Sequence, residues 1–232
     1  MMSINLSLFT VPALLVIFSA VMYFAESQFR KKKAWAYPYD FVLSLYFLGL
    51  SSVVLFLFFY VGTVYTWLNY LPLTFCFVAS IYAVSVGLYH VAKKYLVAPR
   101  DFMLEKPFYV WLKLEDSYIP SKLSNIFFQQ TVIVALVLRI YEYFPEIWLL
   151  SLFFGLVFGA VHLGMFLYES RKWALYYIVP SFFSGAIFPY LLLSTKYGFL
   201  YTLLIHWGFY LFSGLGVWAI YTIRSRRVVK IG

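Results

Sequence analysis

Charge is scarce in this chain of 232 residues: 12% are charged, against roughly 25% in an ordinary soluble domain. Acidic residues are scarcer still, 9 against 18 basic ones. This scarcity excludes a water-soluble fold for most of the sequence. There is a single cysteine, Cys76, which excludes an internal disulfide and a cysteine-built metal centre. It lies within an apolar stretch and is expected to be a small buried apolar residue. No metal and no cofactor is called for by the composition, and the abundance of aromatic residues does not require one. No soluble domain, internal repeat or low-complexity segment is present. No basic patch interleaved with aromatics occurs, so nucleic acid is not an expected partner.

What is present is apolar sequence, 64% of the chain, arriving in blocks. Their length of about twenty residues spans a hydrocarbon core of ~30 Å at ~1.5 Å rise per residue. A strand barrel would show short alternating segments instead. The predicted fold is therefore all-α, a polytopic membrane protein of about seven transmembrane helices, near 5–26, 39–62, 71–92, 123–144, 147–168, 174–193 and 199–221. The first block has no basic residue ahead of it and Arg30 to Lys33 behind it, which predicts a retained signal-anchor helix.

The basic residues then set orientation. All except Arg139 and Lys196 fall in the loops after the first, third and fifth helices or in the tail, and seven spans put these on one side. The expectation is an integral protein of the cell membrane, N-terminus outside and C-terminus cytoplasmic, whose net positive charge is topogenic and faces lipid. Four segments follow: three N-terminal helices in 1–92, a connecting segment 93–122, a four-helix core 123–221 and a basic tail 222–232. The connecting segment mixes basic residues with Asp101, Glu105, Glu115 and Asp116, and reads either as an amphipathic stretch on the cytoplasmic surface or as a tether.

The first three helices are almost wholly apolar, as lipid-facing support would be. His90 falls at the end of the third and reads as interfacial. The last four differ. Asn125, Gln129 and Gln130 lie on the fourth; Gly155 and Gly159, at a spacing that admits a close neighbouring helix, precede His162 on the fifth; Pro180, Ser181, Ser184, Gly185 and Pro189 punctuate the sixth. On the seventh, Thr202, His206, Tyr210 and Ser213 share one face. An ionisable or strongly polar residue in lipid is costly, so these are the candidate functional positions, expected to face a common cavity.

Their order is similar to that of the CAAX protease and bacteriocin-processing (CPBP) intramembrane endopeptidases, which include the prenyl-protein proteases. Phe158 and His162 match the family's FxxxH, His206 matches the histidine of HxxxN, and Gln129 and Gln130 occupy the place of its acid pair. The resemblance covers about residues 123–213. It implies catalytic motif positions at Gln129, Gln130, His162 and His206, with Asn125, Phe158 and Tyr210 lining the cavity and no metal. The chain departs from the family where chemistry is concentrated. Amides replace both glutamates, Val134 stands at the arginine position of E-E-x-x-x-R, and Tyr210 replaces the final asparagine. An amide cannot act as a general base. Asp40, Glu142, Glu146 and Glu169 all fall near predicted helix ends and do not replace the pair.

The resemblance thus implies a catalytically impaired homologue that binds a transmembrane or prenylated protein in the former active-site cavity, alongside membrane lipids. An active or deliberately inactivated endopeptidase is the alternative within the family. Outside it stand a haem- or quinone-binding subunit with His162 and His206 as ligands, and a structural subunit of a larger membrane complex in which both histidines are simply hydrogen-bonded.

Overall fold

With lipid as solvent every amide needs an internal partner, and the described chain answers with helices throughout. The computed structural model describes residues 41–60, 71–100, Leu114, 118–167 and 169–229, with scattered residues between Ala13 and Ala25 that are all helical. In order, the helices are α1 (Phe41–Tyr60), α2 (Leu71–Tyr95), α3 (Tyr118–Tyr141), α4 (Ile147–His162), a 3₁₀ turn (Leu163–Leu167), α5 (Arg171–Ser194) and α6 (Gly198–Val229).

Among the described residues five helices are long and apolar enough to cross a membrane: Pro72–Tyr95, Tyr118–Tyr141, Ile147–Leu167, Arg171–Ser194 and Gly198–Arg226. A shorter apolar helix covers Val42–Phe56. The chain is thus an all-α, multi-spanning helical protein. Most of the first expected span, 5–26, and most of the connecting segment lie outside the described residues.

The chain divides into two compact units, Met1–Phe24 with Gln130–Leu203, and Ala25–Gln129 with Leu204–Gly232; α3 and α6 each contribute to both. In the first unit α4 and α5 form an antiparallel hairpin. Trp148 stacks on Tyr190 with ring centroids 5.0 Å apart, and further along Gly155 and Gly159 lie against Ala186 and Phe182. A Cβ on Gly155 would come within 3.0 Å of the Ala186 Cβ, and one on Gly185 within 2.8 Å of the Phe158 Cβ. Small residues on both helices let the backbones approach, as the Gly155/Gly159 spacing predicts.

Helix α5 runs unbroken through Pro180 and Pro189. Each proline withdraws one amide from the ladder. Ser181 Oγ donates to the Tyr177 carbonyl at 2.7 Å, and Ser184 Oγ to that of Ser181 at 3.2 Å. At the far end, Thr195 donates to the Leu191 carbonyl through both its amide and its hydroxyl. The chain then doubles back so tightly that a Cβ on Gly198 would meet the Leu191 carbonyl oxygen at 2.2 Å.

The second unit has inward stripes at helical spacing: Ser44, Phe47, Ser51 and Val54 on α1, Ile81, Ser85, Tyr89 and Ala92 on α2, and Trp207, Leu211, Trp218 and Thr222 on α6, all buried. Phe47 packs on Phe128 of α3, ring centroids 6.0 Å apart. Among the described residues Trp207 is the largest fully buried side chain; its Nε1–H donates to Ser85 Oγ at 2.8 Å and its ring stacks on Tyr118. Beyond α2, the Val97 amide donates to Thr222 Oγ1, whose own hydroxyl donates to the Trp218 carbonyl. Leu114, in the connecting segment, is fully buried with φ 49°, a left-handed conformation that leucine adopts only where packing holds it.

Two expectations change. Cys76 is exposed, not buried. It lies nine positions before Ser85, which at 100° per residue is the opposite face of α2 from the inward stripe. Helix α3 starts at Tyr118 instead of 123, because Pro120 falls in the first turn, where its missing N–H has no intrahelical use. It ends at Tyr141, where Arg139 pairs with Glu142 ahead of Pro145. It is also the buried helix, 67% of its apolar window being enclosed by protein against 22–28% for the other spans.

These contacts generate two predictions. Gly87→Ala, with nothing within 4 Å of its added methyl, is expected to leave the thermal unfolding midpoint in detergent unchanged or raised, whereas Gly185→Ala and Gly198→Ala lower it, Gly198→Ala the more because backbone is what its methyl strikes. Ser85→Ala is expected to cost about 1 kcal/mol by stranding the indole N–H, and Ser85→Ala combined with Trp207→Phe to cost less than the sum of the two single changes. Strict additivity in that cycle would show that the bond contributes nothing.

Candidate functional site

The polar positions on α3 follow from its earlier start. Once the helix begins at Tyr118, Lys122, Asn125 and Gln129 fall at i, i+3 and i+7 and share one face. Gln129 Nε2 donates to Asn125 Oδ1 at 2.9 Å. Asn125 is buried and Gln129 half-buried. Gln130, one residue and a 100° rotation on, points elsewhere and is fully buried. Val134, at the position where the family carries arginine, is buried too.

In the same unit as Gln129, α6 presents His206 and Tyr210 one turn apart. Their rings stack with centroids 5.9 Å apart and an interplanar angle of 27°. Lys122 reaches this pair: its Nζ lies 3.8 Å from the centroid of the Tyr210 ring, a cation–π contact. Lys122, Tyr210 and His206 thus form a contiguous polar group inside an apolar helix assembly. Thr202, on the same α6 face, is buried and donates to the Phe199 carbonyl at 3.0 Å.

In the other unit, Phe154, Phe158 and His162 form a ladder of rings down α4, with centroids 6.0 and 5.0 Å apart. His162 is half-buried at the last residue of α4 and its Nδ1 lies 2.8 Å from the Phe158 carbonyl oxygen. A carbonyl only accepts, so Nδ1 carries the hydrogen and Nε2 of the neutral ring is left as the acceptor. The ladder ends here: the next amide, that of Leu163, bonds the Ala160 carbonyl in a 3₁₀ turn.

The acidic residues of the described chain between α3 and α5 lie at helix ends. Glu142 is taken up by Arg139, Glu146 is the exposed residue ahead of α4, and Glu169 lies between the 3₁₀ turn and α5. Asp40 lies outside the described residues. Among the described residues no three of His, Cys, Asp and Glu come together as a metal-binding group. The described residues of the site offer hydrogen-bond donors and acceptors, the imidazoles of His162 and His206, and one buried cation.

Lys122 escaped the sequence reading, which placed it in the loop before α3 and counted it with the topogenic charges. The signal that would have found it is Pro120: a proline two residues before a lysine marks a first helical turn, and the spacing to Asn125 and Gln129 then completes a polar face. Ser85 and Trp207 were likewise not singled out, since an apolar helix with scattered serines gives no hint of which one meets an indole.

Compared with protein-family models, with curated proteins and with solved structures, the chain matches none at a significant level.

Proposed function

We propose that this membrane protein is a catalytically impaired relative of the CPBP intramembrane endopeptidases that binds a transmembrane or lipid-modified partner. The order Gln129, Gln130, Phe158, His162, His206 supports the relationship. The observation that carries the impairment is chemical. Where that family needs a base, an arginine and an anion-stabilising amide, this chain has Gln129 bonded to Asn125, buried Gln130, buried Val134, and Tyr210 lying under the Lys122 ammonium. None of these takes a proton from water at neutral pH. Binding a helix or a lipid chain needs shape and a few donors and survives that loss.

A second reading, a structural subunit of a membrane complex, is favoured by one observation. His162 bonds its own helix at Phe158, and Gln129 bonds Asn125 one turn away, so both polar groups are engaged locally. The two readings part on whether the fold still supports hydrolysis once carboxylates are restored.

Purified protein is expected to show no cleavage of prenylated CAAX peptides or membrane-anchored substrates, since loss of a general base removes ~10² to 10⁴-fold of rate. The combined Gln129→Glu and Gln130→Glu variant, assayed beside it, tests the relationship: activity only in that variant supports a former protease. Cleavage by the unaltered protein that His162→Ala abolishes overturns the impairment. We also propose that the C-terminal tail is cytoplasmic and the N-terminus outside. Cysteines introduced at Met1 and Lys230, labelled from outside intact cells, are expected to react at Met1 alone; reaction at Lys230 alone reverses the orientation.

A further inference from the structure

Two hydrogen bonds set α2 and α6 side by side and fix their register. Ser85 Oγ accepts from Trp207 Nε1, and further along Thr222 Oγ1 accepts from the Val97 amide. The sequence separations of these pairs, 122 and 125, differ by three, so the two helices run in the same direction and end at the same level. The apolar spans agree, one closing at Tyr95 and the other at Arg226.

Basic residues collect at this shared end. Lys93 and Lys94 lie in the last turn of α2, Arg100 follows Val97, and Arg224 and Arg226 follow Thr222 on α6; all five are exposed. At ~1.5 Å per residue the four helical ones fall within about 6 Å, along the axis, of the Val97–Thr222 bond. The excess of positive charge does not depend on how individual groups pair. Segments 93–122 and 222–232 both leave from this end and carry ten Lys and Arg against four Asp and Glu. With Lys122 set aside against Tyr210, nine cations face four acids, and five are left over when every acid has taken one.

The surroundings are apolar. Val91, Tyr95, Val97, Ile220 and Ile223 are exposed around the same level, and Lys94 Nζ lies 5.4 Å from the centroid of the Tyr95 ring. Cations set among exposed apolar side chains at the end of two membrane spans keep their stems in hydrocarbon and their heads in the headgroup layer. An acidic protein segment would satisfy the charges and leave the apolar side chains between them unmatched. A phospholipid offers acyl chains to the one and a phosphate to the other.

We propose that the joined ends of α2 and α6 form a docking surface for anionic phospholipid headgroups, with Lys93 and Lys94 contributed by one helix and Arg224 and Arg226 by the other. Two basic pairs remote in sequence meet there, which makes this end selective where an isolated basic loop is not. None of the four is a motif position of the protease family, so the inference does not rest on the proposed ancestry or orientation and stands or falls apart from the peptidase and labelling assays.

The test uses the full-length protein in nanodiscs of phosphatidylcholine and phosphatidylglycerol, with native mass spectrometry reading the lipid retained. The unaltered protein is expected to retain phosphatidylglycerol in preference to phosphatidylcholine. Lys93→Gln with Lys94→Gln, and Arg224→Gln with Arg226→Gln, each lower that preference, and all four changes together lower it about 10-fold or more, a cation near an anionic surface contributing on the order of fivefold. Arg171→Gln with Lys172→Gln removes an exposed basic pair from the other unit and leaves the preference unchanged. Equal loss from that control overturns the proposal, because any basic loop then serves. So does an undiminished preference in the fourfold variant, and so does binding of a polyglutamate peptide to the unaltered protein without any preference between the lipids, which assigns the surface to an acidic protein. Removing basic residues also alters how a chain inserts, so the unaltered protein is acetylated in parallel. Phosphatidylglycerol is expected to slow modification of Lys93 and Lys94 relative to Lys196, an exposed lysine between α5 and α6, and equal slowing of all three refutes the site.

Discussion

Inside hydrocarbon a polar group without a partner costs far more than in water, and this requirement governs the described structure. Six of the described hydroxyls meet it at short range. Ser51, Ser80, Ser124, Ser181, Thr195 and Thr222 each return a hydrogen bond to the carbonyl four residues back. Satisfied in this way, they leave the helix surface nearly as apolar as its neighbours. What then holds helices together is contact at close range, and that depends on where the backbone is bare. The glycines and Ala186 at the α4–α5 crossing provide it, with Trp148 and Tyr190 closing one end.

The same requirement explains why the architecture was legible. An apolar block of sufficient length has one stable form in lipid, so 71–92, 147–168, 174–193 and 199–221 were placed within a few residues apart from the last, which α6 extends to Val229. Boundaries drifted where the chain itself is ambiguous. A proline in a first turn looks like a loop residue until the helix is seen to start ahead of it, as at Pro120, and prolines inside α5 look like breaks until the ladder is seen to pass through them. Facing was harder to read than extent. In α2 apolar residues lie on every side, so nothing in the sequence distinguishes the stripe through Ser85 from the face that carries Cys76.

For the candidate site, residue types were legible and their bonding was not. Asn125, Gln129, His162, His206 and Tyr210 stand out because polar residues are rare in such blocks. Whether a glutamine bonds its own helix or another one depends on rotamers, which spacing does not encode; Gln129 turns to Asn125, and His162 to Phe158. Lys122 was hidden for a different reason. A lysine beside a predicted helix end is ordinarily a topological marker, and only its burial against Tyr210 separates it from the others.

The bond between the Val97 amide and Thr222 Oγ1 joins residues that are made at very different times. Val97 is synthesised 125 residues ahead of Thr222. At synthesis rates of about 5–20 residues per second, several seconds separate the two. Through that interval the end of α2 lacks its final partner, and the lower part of α6 is what supplies it. The end of α2 therefore reaches its finished state only once α6 has been made, long after α2 itself.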